Sequence, residues 1–106
     1  MRYLHDLKLK EDFCNPVFYG DKTFEVREND RGFQTGDYIK FIPIDSSGLE
    51  FRHAVKDKIY EITYILSGWG IKEGYVVLGI KEHKLENDED TEKEFKYVSG
   101  VGYTYE

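Results

Sequence analysis

The sequence has few of the features that mark a secreted or membrane-embedded chain. Cys14 is its one cysteine, so no intrachain disulfide can form and a reducing, cytoplasmic setting is expected. No apolar run approaches the roughly 18 residues that a membrane span needs. The opening Met1-Arg2-Tyr3-Leu4-His5-Asp6 runs straight into charge, without the apolar stretch of a signal peptide. Metal-ligating residues are scattered: His5, Cys14, His53 and His83 have no paired spacing, so no metal is expected. There is no glycine-rich phosphate loop, no Gly-x-Ser-x-Gly elbow and no dinucleotide fingerprint, and no cofactor is expected. No segment repeats, and 106 residues fit one domain with one core.

What is present is aromatic and acidic. Hydrophobic residues make up 40%, enough to fold without metal or disulfide, and nine Tyr with seven Phe favour strands over helices. The net charge of −6 is uneven. Residues 84–106 hold three Lys against seven acidic residues, which is −4 of that total. The body is thus near neutral, which argues against duplex binding by bulk electrostatics and leaves room for a small pocket taking a base, a nucleoside or a short single strand.

Along the chain, His5–Lys10 alternates as a short strand, with Leu7 and Leu9 on one side. Glu11–Tyr19 reads as a short helix with acids at its start, Pro16 inside it and Gly20 as its C-terminal stop. Asn29–Asp37 is a turn-rich loop in which Phe33 is the expected anchor to the core. Tyr38–Ile44 is apolar on both faces and reads as a central strand. Asp45–Gly48 signals a hairpin turn. Phe51–Leu66 reads as extended, most strongly over Ile59–Leu66, and Tyr60, Tyr64 and Tyr75 are assigned to core and flank. The loop Ser67–Gly74 sets three glycines around Trp69, and Tyr75–Lys81 is the last firm strand. Glu86–Glu92 has no apolar residue and is expected to be solvated. Phe95–Tyr105 can add an edge strand or dock on a partner.

The densest polar stretch is Gly20-Asp21-Lys22-Thr23-Phe24-Glu25-Val26-Arg27-Glu28-Asn29-Asp30-Arg31. Alternation puts Phe24 and Val26 on one face and Thr23, Glu25 and Arg27 on the other, with the carboxylate and the guanidinium about 6–7 Å apart along the strand. The expected setting is the surface of the sheet. Glu25 and Arg27 read there as a ligand clamp, a structural ion pair, or both. Lys22 reads as a reactive or ligand-binding amine, or as a solvated turn lysine. Trp69 can stack on a base or anchor the core. His5 can reach a cleft or lie on the surface, and Arg31 with Asn29-Asp30 can rim a site or simply turn the chain.

These residues carry a resemblance. His5-x-Leu-Lys, Gly20-x-Lys-Thr-Phe-Glu-x-Arg-x-Asn-Asp-Arg, Phe33-Gln-x-Gly-Asp, Ile62-Thr-Tyr-Ile-Leu and Gly74-Tyr-Val-Val together resemble the ASCH-type domains of the PUA-like superfamily. The resemblance is closest to a bacterial and phage branch of unknown function and covers about residues 5–82. It implies a pseudo-barrel of mixed strands with flanking helices, and a cleft that in relatives takes RNA, a modified base or another small ligand. Some small bacterial ASCH proteins deacetylate N4-acetylcytidine with a Lys and a Thr on this motif and a more distant Glu. Lys22 matches that Lys, and Glu25 stands where the Thr would be.

The expected fold is therefore α+β and mostly β, a PUA-like pseudo-barrel with one or two short flanking helices over residues 1–83, followed by an acidic and then aromatic tail over 84–106. The leading expectation is an RNA- or nucleoside-binding module whose site draws on His5, Lys22, Glu25, Arg27, Arg31 and Trp69. On this reading Arg27→Ala loses ligand but keeps its melting temperature. The alternatives are an amidohydrolase of N4-acylated cytidine-type nucleosides using Lys22 and Glu25, and an accessory domain that binds a protein partner through the tail.

Overall fold

The computed structural model describes residues 2–84 and the pair 96–97. The elements run β1 (Tyr3–Lys10), α1 (Glu11–Phe18), β2 (Phe24–Glu28), β3 (Tyr38–Ile44), β4 (Ile59–Leu66), β5 (Tyr75–His83) and a two-residue β6 (Lys96–Tyr97). The fold is α+β and mostly β. One sheet takes the order β2-β5-β4-β3-β1-β6. The doubly apolar β3 is central, parallel to β1 with Leu7 opposite Phe41, and antiparallel to β4. Leu7, Leu9, Ile39, Phe41, Ile62 and Leu78 meet on the inner face and are fully buried. Each contributes about 1.5–3 kcal/mol by leaving water.

In that order β2 and β1 are separated by three strands, yet their side chains touch. Arg27 Nη2 on β2 donates to the Lys8 carbonyl on β1. Arg31, just beyond β2, donates through Nη1 to the Asp6 carbonyl at 3.4 Å. The sheet thus curls into a half-barrel until its flanks meet. Among the described residues β1 and β2 share no ladder, so guanidinium groups bridge the seam and satisfy carbonyls of the β1 edge. A bulge in β4 between Ile62 and Tyr64 adds to the local twist. Gly79 lies opposite it, where a Cβ would sit 3.2 Å from Thr63 Oγ1.

Helix α1 covers the core with Cys14 and Val17, and Glu11 and Asp12 sit in its first turn, where carboxylates suit the helix dipole. Its exit is closely specified. Gly20, at φ +83°, donates to the Val17 carbonyl, and the Pro16 carbonyl accepts from both Asp21 and Lys22 at 2.9 Å. That turn delivers Lys22 to the start of β2.

Three expectations are corrected. Phe51–Lys58 is not extended: His53 Nδ1 accepts from the Val55 N–H and caps a 3-10 turn at Ala54–Asp57, which buries Val55. Tyr64 is exposed because the bulge just before it shifts the alternation, whereas Tyr60 is buried as expected. The polar side of β2 faces inward. Of the tail, Lys96–Tyr97 add an edge strand beside Tyr3–Leu4, and the acidic run 86–92 lies outside the described residues.

Candidate functional site

β2 alternates as its sequence dictates, but with the reverse of the usual sense. Glu25 and Arg27 are each 3% exposed, while Phe24 and Val26 face out at 45% and 50%. Burying ionised groups is costly unless they are paired, and here they are paired. Glu25 Oε1 accepts from Lys22 Nζ. Glu25 Oε2 accepts from Arg27 Nε at 3.3 Å and Nη2 at 3.2 Å. The Lys22 ammonium also lies 4.5 Å from the Phe13 ring centroid and 5.1 Å from that of Phe24, so two aromatic faces attract it as well. Two cations share one carboxylate, and the cluster carries net positive charge within a chain of −6.

One donor is left over. Arg27 Nη1 is buried and has no hydrogen-bond partner among the described residues. A cleft of about 180 Å³, which Arg27 helps to line, opens between β1, the start of α1 and β2. Leu9, Glu25 and Arg27 form its buried side, and Lys8, Lys10, Phe13 and Val26 its more open side. Buried polar groups are nearly always satisfied, so an arginine with an orphaned N–H at a cleft is chemically prepared for an oxygen acceptor.

Of the residues singled out from the sequence, Lys22, Glu25 and Arg27 come together. His5 does not join them. It is buried on β1, donating through Nε2 to Asp37 Oδ2 at 2.9 Å and packing edge-on against Phe33 at 4.8 Å. Asp37 also accepts from the backbone N–H groups of Tyr3 and Gln34, both at 3.1 Å. The pair therefore pins the 29–37 loop to β1. Arg31 pairs with Asp30 at 3.7 Å and bridges the seam to Asp6. Trp69 is 90% exposed in left-handed backbone at φ 55°. It sits on the β4–β5 connection, at the Glu28 end of β2 and away from Lys22.

Other chemistry is sparse. Burial pushes the Cys14 thiol up to about 11, with Glu11 and Glu25 adding to the effect, so it stays protonated. Among the described residues no group of three His, Cys, Asp or Glu could hold a metal ion. No described helix is long and apolar enough to cross a membrane.

Residues 4–80 match the model of a family described as a domain of unknown function, DUF3850. The chain belongs to this family. No curated protein matches it. The DUF3850 region takes in β1 to most of β5, and with them every residue lining the cleft. Within this DUF3850 domain the sequence reading missed five cleft residues, Lys8, Leu9, Lys10, Phe13 and Val26. Phe13 stands on α1 and is 41% exposed. A signal was available, since Cys14, Val17 and Phe18 already form the inward stripe at helical spacing and leave Phe13 at its margin.

Proposed function

We propose that this DUF3850 domain is a PUA-like, ASCH-type module that binds RNA or a nucleoside at the cleft beside Lys22, Glu25 and Arg27. The observation that carries the reading is the orphaned Nη1 of Arg27. Glu25 and the Lys8 carbonyl hold the guanidinium on its other edges, leaving that donor for an oxygen of the ligand. The cleft, at about 180 Å³, falls below the roughly 300–1,000 Å³ of sites that enclose a whole small molecule. It suits one base or one phosphate group of a longer ligand, the remainder lying across Phe13 and Lys10. Phe13 offers a half-open ring on which a base can stack, a contact worth about 1–3 kcal/mol.

Arg27 is a poor residue for the test. Removing it strips a buried carboxylate of one of its two cations and a seam carbonyl of its donor, at a cost of up to about 3–5 kcal/mol. The expectation of an unchanged melting temperature in Arg27→Ala is therefore revised. The informative variants are Phe13→Ala and Lys10→Ala, titrated calorimetrically with short single-stranded RNAs and nucleosides. Phe13→Ala should weaken binding roughly 5- to 150-fold while the melting temperature stays within a few degrees. Equal affinity for wild type and both variants would reject the site.

The Lys22–Glu25 ion pair at the head of the same cluster supports a second reading. On this reading Lys22 is the reactive group of an amidohydrolase acting on N4-acylated cytidine, assisted by Glu25. The same wild-type sample, incubated with N4-acetylcytidine beside Lys22→Ala, tests it. Turnover no higher than in the variant ends that reading.

A further inference from the structure

A second recess lies on the other flank of Lys22, where the end of α1 faces β4 and β5. It encloses about 430 Å³, more than twice the Arg27 cleft and within the range that holds an entire small molecule. Val17, Phe18 and Ile80 supply apolar wall. Tyr60, 4% exposed, also lines it, with its hydroxyl buried and without a hydrogen-bond partner among the described residues. Burial, with Glu82 adding to it, pushes that phenol up to about 12, so it remains an O–H. A buried hydroxyl left unpaired is a standing cost that phenylalanine would avoid. The recess also carries Lys22, Lys58 and Lys81, of which Lys22 is paired with Glu25 and Lys58 with Glu82. Lys58 is fixed over the Phe18 ring at 4.2 Å, donating to the Phe18 carbonyl at 3.3 Å and to Glu82 Oε1 at 2.9 Å.

We propose that this recess is a second binding site, for a small phosphate monoester with a flat ring, of the size and chemistry of a nucleoside monophosphate. The ring lies against Phe18 and Ile80, a polar ring atom pairs with the Tyr60 hydroxyl, and the phosphate sits among the lysines. The site does not depend on the Arg27 reading, since the two clefts share no lining residue and Lys22 alone belongs to both neighbourhoods.

The test is calorimetric titration of the full chain with cytidine and adenosine monophosphates, their nucleosides and inorganic phosphate, at low salt. Wild type should bind the monophosphates better than either half of the molecule. Tyr60→Phe should bind them about tenfold more weakly or worse, yet melt at the same temperature or higher, because it discards an unpaired hydroxyl. Lys81→Ala should lose the preference for the monophosphate over the nucleoside. The proposal is overturned by undiminished affinity in Tyr60→Phe, by a lower melting temperature in that variant, by inorganic phosphate binding as well as the ester, or by no binding to wild type. Loss of binding in Phe13→Ala but not in Tyr60→Phe would assign the ligand to the Arg27 cleft and leave the proposed function standing alone.

Discussion

His5 shows how burial alters a residue that its neighbours in sequence place among charges. Burial lowers its pKa below the ordinary 6.5, more than the hydrogen bond and charge of Asp37 raise it. The fold therefore holds the neutral ring, and the unfolded chain takes up the proton first as pH falls. Stability is full above 6.5 and is lost as pH drops through that value toward the lowered one of the folded state. Asp6 works in the opposite sense: burial raises its carboxyl above 3.8, so it costs stability as pH rises through its folded value, over a window that opens lower. Melting temperatures between pH 8 and 5 should hold level and then decline, and His5→Gln should flatten the decline. An unaltered slope in the variant would assign the loss to another group. At this scale the sequence singled out Lys22, Glu25 and Arg27, and the structure brings the three side chains into contact. The sequence could not say which way they face, because a period of two gives alternation without its sense. On an ordinary half-buried strand Phe24 and Val26 would point inward; here the seam asks for donors instead.

The elements were legible wherever their pattern was local. The apolar run of β3, the β-branched crowding of β4, the short helix with its glycine stop and the glycine-rich 67–74 loop lie close to where the sequence puts them. The 51–58 segment was not legible, since Phe51 and Val55 suit a strand equally well until a core position takes Val55. The α1–β2 turn is the element on which the site depends. Gly20 holds φ +83° with open space around its Cβ position, so an added methyl group meets backbone strain and no clash. Gly20→Ala should lower stability by about 1–2 kcal/mol, several degrees in a thermal melt of a domain this size, and Gly20→Asn should lose less. Equal melting temperatures for Ala and wild type would mean that the turn can relax without its left-handed residue.

The molecule as a whole was the least legible level. Its order of strands, the parallel β1–β3 pair and the meeting of β1 with β2 rest on contacts between residues far apart in sequence, which no local pattern reports. The ASCH-like resemblance pointed to a pseudo-barrel, and the half-barrel is there, fastened along one line by Arg27 and Arg31. Such a fastening has a dynamic consequence. A cylinder stitched by two side chains can breathe along the stitch without breaking a single strand pairing, leaving β2 held by β5 alone. Amide hydrogens of β2 should therefore exchange with deuterated solvent through a smaller, local opening, while those of β3 and β4 wait for global unfolding. Equal protection of β2 and β3 would mean that the arginines lock the seam as firmly as a ladder of backbone bonds.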